Sequence, residues 1–169
     1  MKSIYIVMCF GLVLATGTVH AGQISVKVEP SGETALVANI GKTKIEVNFN
    51  THEVQIGKPS DHRPAVIKSN CTYSKYPCSI VDWIGISVNG NPLFVPRSAF
   101  ADLADLNDAT ISATKKGWVL TLDGGDASEG YIVKITFGAN EVMLRTLASG
   151  MSPDQLLQKT IYYQETFDN

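Results

Sequence analysis

The chain has 169 residues, 44% of them hydrophobic, with 14 basic and 16 acidic side chains and a formal net charge of −2. A mildly acidic chain with no basic stripe interleaved with aromatics excludes nucleic acid as a partner. The length suits a single domain with one hydrophobic core.

The N-terminus reads as a secretory signal peptide over 1–21. Lys2 supplies the positive start, 4–14 is an apolar run too short to span a bilayer comfortably, and Ala21 puts a small residue just before Gly22. Cleavage is expected near Ala21-Gly22, which removes Cys9 with the signal and leaves 22–169 as one β-rich domain. Lys2 is the only charged side chain removed, so the mature chain is slightly more acidic than the whole. No later apolar run approaches a membrane-spanning length, and a periplasmic or secreted address without a membrane span is expected.

Period-two alternation dominates the mature chain. Ile24, Val26 and Val28 share one face of a strand, 35–40 forms a second, and Ile45, Val47 and Phe49 mark a third. A short strand over 53–56 is expected to fold back on the third through a turn at 50–52, so that the N-terminal part is a meander of hairpins. Pro59 and Pro64 interrupt 58–76 and Pro77 follows it directly, so the stretch reads as a long connection. The apolar run 79–88 then meets 92–95 across Asn89-Gly90, a dipeptide that favours a tight hairpin. Within 79–88, alternation sends Asp82 to water and Trp83 to the core. Ser98 is placed to cap a short helix carrying Phe100 and Leu103 inward. Strands are expected over 109–114, 118–122, 131–137 and 141–147, with a helical turn at 152–155 and a last strand over 161–166. The pattern is all-β and mainly antiparallel: a sandwich or partly open barrel with one or two short helices.

Cys71 and Cys78 remain after cleavage, and an even pair at this spacing in an oxidising compartment reads as a structural disulfide. The spacing fits neither a metal site nor a thioredoxin-type motif. His52 and His62 lie in polar, turn-like stretches with no G-x-S-x-G elbow or H-E-x-x-H motif to join them. Asp82, Asp126 and Glu129 are the carboxylates that a hydrolase would use, and Asp123, Asp126 and Glu129 the oxygens that calcium would need. Neither set has enough companions in the sequence, so no catalytic residue, cofactor or metal is expected. Recognition is the better use of what the chain offers. The disulfide ring presents Tyr73, Lys75 and Tyr76, and the glycine-rich loop around Gly124-Gly125 presents Asp126, Ser128 and Glu129 beside Tyr131. In the bland reading the loop is a solvated turn and the tyrosines cover the disulfide.

The stretches LFVPRSAFADLADLNDATI and GWVLTLDGGDASEGYIVKITF resemble a set of small exported proteins of Gram-negative bacteria, which implies a periplasmic address and no particular activity. In kind, the chain is also similar to periplasmic lysozyme inhibitors, small disulfide-bearing β-proteins that insert a loop with serine and tyrosine into the enzyme cleft. Ser128-Glu129-Gly130-Tyr131 approximates that loop. A second similar stretch, 113–118, precedes the loop, the reverse of their order, and no role is carried onto it. The expectation is a protein-binding module in the envelope, an inhibitor or immunity protein against a lysozyme or other envelope-targeting effector. The alternatives are an envelope-assembly accessory that uses an exposed strand edge and, behind it, a carboxylate hydrolase.

Overall fold

A computed structural model describes residues 23–57, 71–72 and 75–163. The expected signal peptide, His62 and Tyr73 lie outside the described residues. Ten strands follow in order: β1 Gln23–Lys27, β2 Gly32–Ile40, β3 Thr43–Val54, β4 Cys78–Val88, β5 Asn91–Leu93, β6 Leu106–Thr114, β7 Gly117–Gly124, β8 Tyr131–Phe137, β9 Val142–Ser149 and β10 Leu156–Ile161. Single 3-10 turns stand at Arg97–Ala99 and Ala127–Glu129. All pairings are antiparallel, in a six-stranded sheet ordered β1-β6-β7-β8-β9-β10 and a four-stranded sheet ordered β2-β3-β4-β5. The two sheets form a sandwich, not a closed barrel. No helix among the described residues is long and apolar enough to cross a membrane.

Alternation builds the core directly. Leu36 and Ala38 of β2, Ile45, Val47 and Phe49 of β3, and Ile84 and Ile86 of β4 face Ile111 of β6, Leu120 and Leu122 of β7, and Val133, Ile135 and Phe137 of β8 in one buried cluster. In β8, and in β7 from Leu120 onward, burial follows the hydrophobic alternation residue for residue. Asn89 and Gly90 take φ of 51° and 82°, the paired positive values that a two-residue hairpin needs. Asn89 also accepts the Lys44 N–H at 2.9 Å through its side-chain oxygen.

Several expectations are corrected. β1 does not join β2 in a hairpin; it pairs with β6, and the chain crosses between sheets at Pro30-Ser31. β3 continues without a turn through residues 50–52, because β4 pairs along its whole length. The helix expected after Ser98 is one 3-10 turn with no side-chain cap, although Phe100 and Leu103 are buried as expected. The last strand is Leu156–Ile161, upstream of the expected 161–166, and residues 152–155 form a turn closed by Gln155 N–H to the Ser152 carbonyl. Residues 164–166 lie outside the described residues.

Trp83 is the sharpest correction. Asn50 opposes Trp83 and Thr51 opposes Val81, which leaves Asp82 unopposed in a β-bulge. The extra residue breaks the alternation, so Val81 and Ile84 point into the core while Asp82 and Trp83 both point out. Asp82 is solvent-facing as expected, and Trp83 is 52% exposed.

Candidate functional site

Cys71 and Cys78 are joined in a disulfide, with Cα atoms 5.7 Å apart. The ring they close is held from inside by Asp105, a buried residue with φ of 52° just before β6. One oxygen of its carboxylate accepts the Thr72 N–H at 2.7 Å and the other accepts the Ser79 N–H at 2.9 Å. These are the residues immediately after each cysteine, so a single carboxylate pins both arms of the ring. The Asp105 main chain closes the same joint, its N–H donating to the Ser79 carbonyl at 2.7 Å.

The ring and the acidic loop, far apart in sequence, meet across this joint. Lys75 Nζ donates to Asn107 Oδ1 at 2.8 Å, and Asn107 Nδ2 donates to the Gly125 carbonyl at 2.9 Å. The Gly125 N–H in turn donates to the Asp105 carbonyl at 3.1 Å. Gly125 has φ of +74°, and a Cβ there would stand 2.4 Å from the Glu129 carbonyl oxygen, so glycine is required. Asp126, Ser128 and Glu129 are exposed at the tip of the loop, which is tightened by Glu129 N–H to Asp126 O and Gly130 N–H to Ala127 O. On the ring, Tyr76 is exposed and Lys75 half-buried. A cleft of about 540 Å³ opens beside them, with Glu53, Lys75 and Tyr76 among its walls.

Tyr131 does not belong to this exposed set. It is buried, and its hydroxyl donates to the Ala104 carbonyl while accepting the Ala104 N–H at 3.1 Å. Burial drives its phenol far above the ordinary value of 10.0; Ala104 draws it back, Asp105 and Asp102 add to the rise, and Arg145 opposes it. The fold therefore holds the neutral form. The stability tied to that form is complete below about pH 10, the unfolded value, and is lost as pH rises through the folded one. Tyr131→Phe is expected to cost about 2–5 kcal/mol at neutral pH, because both buried Ala104 groups lose their partner. It should also flatten the alkaline fall in stability, which urea midpoints measured from about pH 8 to pH 11 will check.

The carboxylates considered for calcium or hydrolysis do not converge. Asp123 sits across from Asp108 on β6, and burial, followed by the Asp108 charge, raises its carboxyl above the usual range against the pull of Lys134. Asp82 lies on the outer face of the other sheet, 2.7 Å from His52 Nδ1, with both side chains about half exposed. An ion pair so open to water contributes little. Among the described residues, the group of His, Cys, Asp or Glu ligand atoms within 4.8 Å of one another is Cys71, Cys78 and Asp105, where both sulfurs are spent in the disulfide.

Sequence reasoning gave no role to Asp105 or Asn107 and placed Trp83 in the core. Asp105 looks like one more acid in ADLADLND, and nothing local distinguishes it. The one signal for Trp83 was its place beside an acid within an apolar run. Comparison with known protein families, curated proteins and solved structures finds no match to this chain.

Proposed function

We propose that the protein is an exported protein-binding module whose contact surface is the disulfide ring together with the acidic loop. In this reading it acts as an inhibitor or immunity protein toward a basic lysozyme or other envelope-targeting effector. The observation that carries the proposal is the chain Lys75–Asn107–Gly125, which braces two sequence-distant loops against each other at one end of the sandwich. Loops held in place before contact lose less entropy on binding, and exposed Asp126 and Glu129 favour encounter with a positive partner. Tyr76 supplies the aromatic contact that such surfaces commonly use.

The test is binding of the mature protein to lysozyme and to the product of the gene beside its own. Replacing both Asp126 and Glu129 with serine is expected to weaken binding about tenfold or more while leaving the melting temperature nearly unchanged. No binding by the parent protein to either candidate, or equal binding by the double variant, removes the reading.

A second reading, the envelope-assembly accessory, is favoured by β10. This edge strand exposes Leu156, Leu157 and Ile161, and a groove of about 280 Å³ beside it is lined by Phe94, Val142 and Tyr163. Such an edge accepts an added strand through its free main-chain groups. Amide exchange along β10 that stays fast in the presence of envelope extract would argue against it.

A further inference from the structure

The outer face of the four-stranded sheet carries a second, separate feature. Trp83 is half exposed, although a large aromatic on a strand normally gains most by facing the core. Its indole has a defined seat: the six-membered ring lies over Gly85, where an added Cβ would stand 2.1 Å from Cη2 and 2.4 Å from Cζ2. Glycine at 85 thus lets the ring lie down along the sheet.

Strand register sets its neighbours. Asn50 is directly opposite Trp83, and Glu33 is directly opposite Asn50 on the far side of β3. Asn48 holds the next outward position on β3, opposite Gly85 and Ala35. These residues enclose a cleft of about 330 Å³, with Trp83 on one flank, Glu33 on the other, and Asn48 and Asn50 between them. That volume falls within the range of about 300–1,000 Å³ common to small-molecule clefts.

The chemistry of the lining selects a ligand. A flat apolar surface suits one with an apolar face of its own. Two amides, each donor and acceptor, and one acceptor carboxylate suit a rim of hydroxyl groups. An anion meets Glu33 directly, while Glu46 and Asp82 on the same outer face are paired with Lys44 and His52. A quaternary ammonium ion is best held by a cage of aromatics, and Trp83 is the one aromatic side chain exposed in this cleft. A pyranose ring has both required surfaces, C–H groups on one face and hydroxyls around the edge. We propose that the Trp83 cleft binds a neutral saccharide, stacking one sugar ring on the indole while Asn48, Asn50 and Glu33 take its hydroxyls. The site is independent of the ring and acidic loop.

The test is a titration of the mature protein with trisaccharides of β-1,4-linked glucose and of β-1,4-linked N-acetylglucosamine, followed by NMR of the indole N–H and the asparagine side-chain amides. Saturable shifts of Trp83, Asn48 and Asn50 are expected at a Kd of about 1 mM or below. Trp83→Ala should weaken binding about tenfold or more, and Gly85→Ala, which displaces the indole from its seat, should weaken it too. Trp83→Phe should retain part of it, and each variant's melting temperature will separate lost binding from lost folding. No saturable shift with either sugar, undiminished binding by Trp83→Ala, or tighter binding of tetramethylammonium than of either sugar overturns the proposal. Binding that survives Asp126→Ser with Glu129→Ser is expected and keeps this site distinct from the proposed protein-contact surface.

Discussion

Asp105→Ala is expected to lower the free energy of unfolding by about 3–5 kcal/mol, the sum of two buried backbone donors left without an acceptor. The donors are the Thr72 and Ser79 N–H groups, both on buried residues, so water does not readily replace the lost carboxylate. Alanine adds a backbone cost, since residue 105 holds a φ of 52° that aspartate tolerates better. Asp105→Asn separates these effects. It accepts the same backbone angle and keeps one acceptor, but turns an amide donor toward one of the two N–H groups, and should lose about half as much. Urea denaturation of the oxidised protein measures both. A loss under about 1 kcal/mol for the alanine variant would mean that the carboxylate does not hold the ring. For scale, closing a ring as small as 71–78 by the disulfide itself is worth about 2–3 kcal/mol on the chain-entropy model. The carboxylate and the disulfide are therefore expected to stabilise the ring by comparable amounts.

Arg145→Ala is expected to be similarly damaging, at about 3–5 kcal/mol. The side chain is 1% exposed and points from β9 toward the core side of the six-stranded sheet. Its guanidinium is nevertheless well supplied with acceptors. Nε donates to the Ala99 carbonyl at 3.1 Å, Nη1 to Gln158 Oε1 at 2.6 Å, and Nη2 to both oxygens of Asp102 at 2.8 and 2.7 Å. One residue thereby ties the 3-10 turn at Arg97–Ala99, the edge strand β10 and the interior of the sandwich together. Truncation leaves a cavity and an unpaired carbonyl, and it removes a side-chain bond to β10, which is otherwise held to β9 mainly through its main chain. Asp102→Ala should cost clearly less. Asp102 is 42% exposed, so water can take its place beside Nη2. Equal losses for the two variants would show that the ion pair, and not the buried arginine, carries the effect. Amide exchange should report the same asymmetry, with β10 opening faster in Arg145→Ala than in Asp102→Ala.

These two residues show where reading the sequence stops. Asp105 sits among the similar acids Asp102 and Asp108, and its partners lie 33 and 26 residues away. Arg145 falls in VMLRTLAS, where apolar residues occupy both parities and alternation does not say which side is inward. By contrast, β6 to β9 were legible to within a few residues, since their signal is local and stopped by glycine, asparagine or lysine turns, whereas β10, exposed along nearly its whole length, carries no such signal. The disulfide was legible from the count and spacing of cysteines. Of the candidate contact residues, Asp126, Ser128, Glu129 and Tyr76 are exposed as expected. Tyr131 is not, because the alternation that makes β8 a strand also turns its first residue inward.

The amino-acid sequence by itself determined an all-β chain, most of the turns of its hairpins and most of the residues of its core, because those depend on side-chain periodicity over a few neighbours. Only the tertiary structure decided that β1 joins the far sheet, that a bulge at Asp82 brings Trp83 to the surface, that Arg145 turns inward, and that Asp105 and Asn107 brace the disulfide ring against the acidic loop. Each of these rests on a hydrogen bond or register set between residues far apart in the chain, where the pairing energy is not gained until the sheets have formed.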